Sequence, residues 1–396
     1  MPAGAGVRPS VGFVIRGFTD TGGTDRVHTE LIRRLSSEFH FVVVSRTLSP
    51  QLNELVTWHR VRAAGRPAAV AVPMFFAAGS LRAARLKVDL LHTCGAVVGN
   101  KAQLSTVHFC HAGYRVANGR LAPADAPLGR RVNTALMRAL AIGAERWCYR
   151  PSVTGVLGAV SSNVGVELAT HYPRARVVVT PNGVDIGAFA PDAGVRTATR
   201  SIRGVAPEEV VALFVGGDWD RKGLAMAIGA LGVARRLGVT VRLWVVGPGD
   251  EARFARLAVE HGVGDQVDFI GVERDPSRWY RGADLVVSCS AYEAFSLALI
   301  EGAAAGVPLV TSRVGCAEEL VPAGPDAVGA GVVVERRDPE LFGAALAELA
   351  KNPDLRARMG AMGQHRAAAY SWDAAAAKLA GLYREILSGS PAVRRS

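Results

Sequence analysis

The sequence predicts an α/β protein built from two successive doubly wound parallel sheets. Short apolar runs rich in Val, Leu and Ile recur along the 396 residues, and amphipathic segments of helical length separate them. The alternation starts afresh after about residue 205. Strands separated by helices of this length pair in parallel through right-handed crossovers, and the chain length suits two domains.

The first domain begins with VGFVIRG at residues 11–17, which predicts a buried strand. The glycine turn TGGTD and an amphipathic helix through HTELIRRLSSE follow. The segment PNGVDIGAFAPDAG, at residues 181–194, is rich in Gly, Pro and Asp and predicts the join, so we assign residues 1–185 to this domain. Further strands are predicted within FHFVVVSR, DLLHTCG, LSTVHFCH, VTGVLGAVSS and VVVTPNGVD.

The second domain, residues 186–372, repeats the pattern. EVVALFVGG and VTVRLWVVGPG predict strands, each followed by a helix, and four more strands are predicted in QVDFIG, ADLVVSCS, VPLVTSR and GAGVVVE. Residues 373–388 form a last predicted helix. Ligands of open parallel sheets bind beyond the carboxyl ends of the strands, so we expect two such sheets to face each other across a cleft.

The net charge of +11 lies entirely in the first part of the chain. Residues 1–150 carry 20 Lys and Arg against eight Asp and Glu, whereas the other 246 residues carry 26 against 27. This asymmetry predicts an anionic partner for the first domain, either a membrane surface or a phosphate-bearing acceptor. The basic residues are scattered arginines without interleaved aromatic residues, which argues against nucleic acid.

Cysteine spacing and hydropathy exclude several other classes. The five cysteines form no CxxC pair, so they read as small core residues rather than zinc ligands or disulfides. No stretch reaches ~18 uninterrupted apolar residues, and the first residues lack the pattern of a signal peptide. The sequence therefore predicts a cytoplasmic protein.

The stretch YEAFSLALIE places two glutamates around a short apolar helix. We expect the helix to begin near Phe295, with Glu293 in the preceding loop and Glu301 one to two turns inside. Free N–H groups at Phe295, Ser296 and Leu297 would form an anion site. The Glu301 carboxylate, among apolar neighbours, could accept hydrogen bonds from a vicinal diol such as a ribose. The alternative is a solvent-facing Glu301 and a Glu293 favoured only by the helix dipole.

The stretch FVGGDWDRKG predicts a diphosphate site. A glycine turn containing Gly217 leads to Arg221 and Lys222 at an expected helix start, where the dipole disfavours cations unless a polyanion outweighs it. Asp218-Trp219-Asp220 reads as a turn and helix cap rather than a metal-binding DxD element. The alternative is an exposed basic turn.

The stretch TGGTDR follows the first strand. Gly22 and Gly23 would let backbone amides approach a ligand closely. Neither GxGxxG nor GxxxxGK[ST] is present, which excludes nicotinamide, flavin and P-loop sites.

The stretch STVHFCHAGY carries His108 and His111 at the end of a predicted strand. They could be a metal pair, core histidines or polar groups at a sugar site. No carboxylate is near them in sequence, so we predict no metal. His108 would act on a substrate hydroxyl.

Together, these stretches resemble the retaining glycosyltransferases of family 4, which have the GT-B fold. The resemblance covers nearly the whole chain. It is carried by GGTDRV, VHFCH, VTPNGVDIGAF, FVGGDWDRKG, VVGPG, VDFIG, YEAFSLALIEGAAAGVPLVTS and YSWDAAAAKLAGLYREIL. The last of these resembles the helix that crosses back to the N-terminal domain in that fold.

The resemblance implies a nucleoside-diphosphate sugar as donor, bound mainly by the C-terminal domain, with retention of configuration and no metal or other cofactor. It also implies that Glu301 binds the ribose hydroxyls and that Ile270 and Gly271 lie beside the base. Arg221, Lys222 and the amides of Ser296 and Leu297 would bind the diphosphate, and Gly23 would close over the phosphates. Glu293 and His108 would contact the transferred sugar.

Two other functions remain open at this stage. The non-hydrolysing epimerases of nucleotide sugars share the fold, but they need carboxylates that the first domain largely lacks. The other is a non-catalytic protein that keeps the nucleotide-sugar pocket. We expect the acceptor to be an anionic lipid or glycan at the inner face of the membrane. Basic and apolar residues within 130–150 form either a membrane-surface helix or a packed helix with a solvated basic edge.

Overall fold

The computed structural model describes residues 8–18, 23–65, 67–118, 127–322 and 329–389. The chain divides into two compact units. Unit 1 comprises Met1–Gly183 and Trp372–Ser396, and unit 2 comprises Val184–Ser371. Strands and helices are numbered below in chain order over both units.

Unit 1 contains a parallel sheet with the strand order β3-β2-β1-β4-β5-β6-β7, seven strands within the described residues. Six of them match predicted strands, and β3 was not predicted. The strands are β1 (Ser10–Val14), β2 (His40–Ser45), β3 (Val56–Arg60), β4 (Leu90–Cys94), β5 (Ala102–Val107), β6 (Thr154–Ala159) and β7 (Val177–Val179).

The helices of unit 1 connect these strands and close the unit. They are α1 (Gly23–Leu35), α2 (Ala68–Ala83), α3 (His111–Asn118), α4 (Leu128–Cys148), α5 (Ser162–His171) and α16 (Trp372–Leu387), with a 3₁₀ turn at Pro50–Leu52.

The last helix, α16, is part of the core of unit 1. Leu379 and Tyr383 are buried with Phe13 in one apolar cluster. The Tyr383 hydroxyl lies 2.6 Å from Nδ1 of His92 on β4. At the helix surface, Nε of Arg34 on α1 donates to Oδ1 of Asp373 at 2.8 Å, which also fixes α16 beside α1.

Unit 2 contains a second parallel sheet with the order β10-β9-β8-β11-β12-β13, six strands within the described residues. The predicted α/β fold with two doubly wound sheets is thereby confirmed. The strands are β8 (Val210–Val215), β9 (Val241–Val246), β10 (Val267–Gly271), β11 (Leu285–Ser288), β12 (Leu309–Ser312) and β13 (Gly331–Val334).

The helices of unit 2 cover both faces of its sheet. They are α6 (Ile186–Phe189), α7 (Ala193–Ile202), α8 (Trp219–Lys222), α9 (Leu224–Arg236), α10 (Glu251–Glu260), α11 (Ser277–Gly282), α12 (Leu297–Ala304), α13 (Ala317–Leu320), α14 (Pro339–Lys351) and α15 (Pro353–Ala367), with 3₁₀ turns at Gly264–Gln266 and Ala368–Tyr370.

Helices α9 and α14 pack closely in the core of unit 2. The side chains of Leu224, Ile228 and Leu231 on α9 are fully buried. Gly343 on α14 is required there because a Cβ at this position would overlap the side chain of Val233. This packing holds the start of α9, and with it the loop after β8, in one position.

All five cysteines are free, and all except the half-buried Cys94 are buried. Within the described ranges, no helix is long and apolar enough to cross a membrane.

Candidate functional site

A partly buried cluster of charges joins two loops at the carboxyl ends of β8 and β11. One carboxylate oxygen, Oε1 of Glu293, lies 2.7 Å from Nζ of Lys222 and 3.2 Å from Nη1 of Arg221. The hydroxyl of Ser290 donates to the same oxygen at 3.0 Å. Arg221 Nη1 also donates to the carbonyl oxygen of Tyr292 at 3.0 Å. The structure therefore brings Glu293 to two cations that lie about 70 positions before it in the sequence.

The two cations keep Glu293 ionised. Burial alone would raise the pKa of its carboxyl, but Lys222 and Arg221 outweigh burial and hold the pKa below its usual value. The Lys222 and Glu293 side chains are 16% and 11% exposed, so solvent screens their attraction only in part. A second carboxylate, that of Asp218, pairs with Arg221, so two cations face two carboxylates in this cluster.

Left-handed backbone shapes the loop after β8. Gly216, Asp218 and Gly223 all have positive φ, at 137°, 52° and 80°. A Cβ at Gly223 would overlap the carbonyl oxygen of Cys289, at the end of β11, so this position requires glycine. The predicted placement of Arg221 and Lys222 at a helix start is corrected. They form the last turn of α8, and Gly223 separates them from α9.

Asp218 does not cap a helix as predicted. It occupies the position before α8, but its side chain makes no capping hydrogen bond. Its Oδ2 instead accepts from Nε of Arg221 at 3.0 Å. The reason is its left-handed backbone, whereas capping side chains need an extended one. Trp219 fixes the turn from inside, because it is buried and donates from Nε1 to the Gly216 carbonyl at 2.9 Å.

Helix α12 begins two residues later than predicted, at Leu297. Ser296 precedes it in a left-handed conformation, with φ 71°. The first amides of α12 have no partner within the helix and form a site for an anion. The Ser296 hydroxyl oxygen is buried without a hydrogen-bond partner among the described residues. Phe295 is buried beneath this turn, and its carbonyl accepts from the amide of Cys316 at 2.8 Å.

Glu301 lies just beyond the first turn of α12 and is 3% exposed. The alternative of a solvent-facing Glu301 is therefore wrong. Tyr280 on α11 donates from its hydroxyl to Oε2 at 2.9 Å, which compensates part of the cost of burying a carboxylate. Sequence analysis missed Tyr280, because nothing in its own stretch links it to a glutamate 21 residues away.

Backbone contacts align the loops that follow β8, β9 and β10. The amide of Gly247 donates to the carbonyl of Gly271 at 2.7 Å. A Cβ at Gly217 would lie 3.3 Å from Cγ of Pro248. Ile270 and Gly271 end β10, and Gly271 has φ 85°. The predicted residues of unit 2 thus all lie at one edge of a single sheet, where open parallel sheets bind ligands.

The candidate residues of unit 1 follow β5 and open α1. His108 comes directly after β5, as predicted. Burial lowers the pKa of its imidazole to about 4, so the ring is neutral near pH 7. His28 on α1 lies edge to face with His108 at 4.6 Å between ring centroids, a neighbour that sequence analysis did not find. Gly23 begins α1, whereas Gly22 lies outside the described residues.

A buried carboxyl, Glu145, holds the start of α3. Its two oxygens accept from the amides of His111 and Ala112, at 2.8 and 3.2 Å, and from the Tyr172 hydroxyl at 2.8 Å. Burial nonetheless raises the pKa of Glu145 to about 7. Burial also lowers the pKa of His111 to about 4, so this second histidine is neutral as well.

Two doubly wound parallel sheets in one chain, with cations and a helix start at the strand ends of the second sheet, define the GT-B class of α/β proteins. The glycosyl transferases group 1 model matches residues 195–366, and the glycosyltransferase family 4 model matches residues 21–187. The chain belongs to glycosyltransferase family 4.

Two D-inositol 3-phosphate glycosyltransferases are similar to this chain over most of its length. A D-inositol 3-phosphate glycosyltransferase of Xylanimonas cellulosilytica is 31% identical over 343 residues, which are 80% of this chain and 78% of the relative. The same-named protein of Segniliparus rotundus is 32% identical over 311 residues, 74% of this chain and 64% of the relative. The match with that protein therefore spans less than two thirds of the relative's length.

Solved structures confirm the GT-B fold. WaaG, a glycosyltransferase involved in lipopolysaccharide biosynthesis, superposes with a TM-score of 0.78 at 19% identity, over 96% of this chain and all of WaaG. Sucrose-phosphate synthase from Thermosynechococcus elongatus gives 0.76 at 20% identity, over 97% of this chain and all of that chain. Anabaena HepE in complex with UDP-glucose superposes with a TM-score of 0.70 at 16% identity, over 96% of this chain and all of the HepE chain.

Proposed function

We propose that this protein is a retaining glycosyltransferase that moves a sugar from a nucleoside-diphosphate sugar to an acceptor hydroxyl. The observation that carries the proposal is the cluster of Arg221, Lys222 and Glu293, which lies with the start of α12 at one edge of the unit 2 sheet. Family membership and the sugar-nucleotide complex of the HepE structure support it.

The charges fit a departing diphosphate. When the bond from the anomeric carbon to the phosphate oxygen breaks, negative charge grows on the diphosphate and the sugar becomes electron-poor. Arg221 offers a forked guanidinium and Lys222 a compact ammonium for that negative charge, and the first amides of α12 add partial positive charge. Glu293 aligns both cations before substrate arrives, so little reorganisation accompanies the reaction. Because these side chains supply the positive charge themselves, we propose that no metal is required.

The remaining residues of the proposal orient the substrates. Glu301, held by Tyr280, accepts from the ribose hydroxyls, and Ile270 and Gly271 lie beside the base. His108 acts on a hydroxyl of the transferred sugar as a neutral imidazole. Family membership supports retention, which would proceed through departure and attack on the same face of the sugar.

An arginine pocket in unit 1 supports an anionic acceptor. Arg46, Arg60 and Arg62, at the carboxyl ends of β2 and β3, line a pocket together with Thr47. Among the described residues, none of the three arginines forms an ion pair. The names of the relatives specify a phosphorylated inositol as their substrate, and a phosphate would neutralise this pocket. We therefore propose a phosphate-bearing lipid, glycan or small molecule as the acceptor.

Helix α4 supports contact with a membrane surface. Its exposed apolar side chains accompany exposed arginines such as Arg130 and Arg131. This pattern suits a helix lying at the interface of an anionic bilayer, at the inner face of the cell membrane. The test is sedimentation with anionic liposomes at low and high salt. Binding at low salt that is lost at high salt supports contact, and no binding at low salt contradicts it. The exposed apolar residues are Leu128, Val132, Leu136, Leu140 and Trp147.

The test of the function combines binding with turnover. Thermal shifts with UDP, GDP, ADP and dTDP, without metal, identify the base, since a ligand at ~100 times its Kd adds ~2.7 kcal/mol of stability. Nucleoside diphosphate release from the matching sugar donor, with a phosphorylated acceptor, then tests transfer. A non-catalytic binding protein would show the shift without turnover, and an epimerase would convert the donor without an acceptor. A folded sample whose melting temperature is not raised by any of these nucleotides contradicts the proposed site.

A further inference from the structure

Three side chains from separate elements of unit 1 bring one thiol and two imidazoles together. His28 lies on α1, Cys94 ends β4 and His108 follows β5. One ligand atom from each lies within 4.8 Å of the other two. Nε2 of His28 is 3.0 Å from Sγ of Cys94, and the His28 and His108 rings are in contact. His28 and Cys94 are 66 positions apart in the sequence, and Cys94 and His108 are 14 apart, so only the fold brings the three side chains together.

This donor set suits a borderline transition metal. Zn²⁺ takes nitrogen from His and sulfur from Cys in tetrahedral sites, with ligand atoms about 3.3–3.8 Å apart when bonds are near 2.0–2.3 Å. Side-chain rotations that separate Nε2 of His28 from Sγ of Cys94 by about 0.5 Å, and bring the His108 nitrogen into this range of both, would therefore complete a site with three protein ligands. Three ligands leave the fourth position for water or for a substrate oxygen.

The neighbouring His92 shows what a purely structural histidine looks like in this unit. Its Nδ1 is paired with the Tyr383 hydroxyl and its Nε2 with the Thr106 hydroxyl, both at 2.6 Å. His108 differs, because its buried Nε2 has no hydrogen-bond partner among the described residues. A buried, unpaired ring nitrogen costs free energy unless a ligand satisfies it.

Binding here requires one proton to leave and a small movement to admit the ion. Imidazole nitrogen is the commonest protein ligand of such metals. Cys94 and His108 are partly exposed as residues, but the Nε2 atom of His108 is buried, so an ion would reach the ligand atoms only after side-chain movement. Binding would release the thiol proton of Cys94 to solvent and leave a thiolate on the metal.

We propose that His28, Cys94 and His108 form an inhibitory site for a divalent transition metal such as Zn²⁺. Occupancy would take a ring nitrogen of His108 out of reach of the sugar hydroxyl. The effect on turnover rests on the proposed function, whereas metal binding itself does not. The site is separate from the diphosphate chemistry, for which Arg221 and Lys222 supply the positive charge.

Metal binding is tested first with the full-length, metal-free protein. Titration with Co²⁺ should produce a thiolate-to-metal charge-transfer band that saturates at one equivalent, and Zn²⁺ should displace the Co²⁺. Cys94→Ser should abolish the band, and His28→Gln should weaken Zn²⁺ binding at least tenfold, measured by calorimetry. Cys148→Ser is the matched control, since a serine hydroxyl can still donate to the Val98 carbonyl as the thiol does.

Inhibition is tested next, as the ratio of turnover with and without Zn²⁺ within each variant. Zn²⁺ should lower the turnover of the native protein and of Cys148→Ser at least tenfold. It should not change the turnover of Cys94→Ser. A folded native sample without stoichiometric binding, or binding unchanged in both Cys94→Ser and His28→Gln, overturns the site. Binding without loss of turnover overturns the inhibitory role. A protein that binds Co²⁺ through Cys94 but has no turnover refutes the proposed function and leaves the metal site standing.

Discussion

The two units hold their buried polar groups in opposite electrostatic states. In unit 2, Glu293 is ionised because two cations lie within hydrogen-bond distance. In unit 1, burial without such partners keeps His28, His92 and His108 neutral and shifts the pKa of Glu145 to about 7. Burial alone therefore does not determine the charge of a side chain; the groups placed around it do. The carboxylate at the strand ends of unit 2 is thus charged, whereas the buried imidazoles of unit 1 are neutral.

The largest expected effect comes from removing a cation of unit 2. Arg221→Ala should keep the fold and lower turnover by about 100- to 1000-fold, or about 3–4 kcal/mol, because charge on the leaving diphosphate loses a preorganised partner. The measurement is nucleoside diphosphate release under saturating donor. Arg235→Ala, which removes an exposed arginine paired with Asp265, is the control and should retain turnover. Turnover near the native value in Arg221→Ala would refute its role.

The next effect comes from removing the carboxylate that the cations surround. Glu293→Gln should lower the free energy of unfolding by about 3 kcal/mol near pH 7, because the partly buried Lys222 loses its carboxylate partner and Arg221 keeps only Asp218. The native contribution exists above the unfolded pKa of Glu, near 4.5, and is lost as pH falls below it, since the folded pKa is depressed. Chemical denaturation between pH 3 and 7 measures both effects. A variant with native stability at pH 7 would show that the cluster is not coupled.

Glu145 should show the opposite pH dependence. Burial raises the pKa of Glu145 to about 7. Its contribution to the free energy of unfolding is therefore complete below about pH 4.5 and is lost as the pH rises to about 7. The loss amounts to about 3 kcal/mol. In Glu145→Gln this loss should be absent, so the stability difference from the native protein should change across that window. Glu260→Gln, an exposed glutamate on α10, is the control. Parallel pH curves for Glu145→Gln and the native protein would contradict the assignment.

The smallest expected effect comes from removing one hydrogen bond by a substitution that leaves the net charge unchanged. Tyr280→Phe removes the donor to Glu301 and should cost about 1 kcal/mol of stability. We expect the KM for the donor to rise several-fold while kcat changes little, because the ribose contact is equal in the ground and transition states. A fall in kcat with unchanged KM would place Tyr280 closer to the reacting atoms than this geometry indicates.

Strands buried on both faces were the most predictable part of the fold. FVVV in β2 and VVALFV in β8 are apolar throughout, because a sheet covered on both sides excludes water from both faces of each strand. The segment VTWHR in β3 was missed for the converse reason. It lies at the edge of its sheet, and none of its five residues is fully buried, so it lacks an apolar run.

The candidate site was predicted in composition but not in local geometry. Arg221, Lys222 and Glu293 were chosen together, and the structure brings them together. The helix starts were misplaced because Asp218 and Ser296 adopt positive φ, which their residue types disfavour and tertiary packing imposes. His28 and Glu145 were missed because each meets its partners only through the fold, at positions distant in sequence.

Helix α16 gives the protein an order of assembly. Unit 2 is one continuous stretch, Val184–Ser371, while the core of unit 1 includes Leu379 and Tyr383 from beyond it. During synthesis, the ribosome completes every residue of the second unit before the first has its last apolar helix. Until then, Phe39 and His92 lack the aromatic ring that covers them. The unit made first is thus the unit finished last, and a nascent chain halted before α16 would expose an open apolar face to chaperones and proteases.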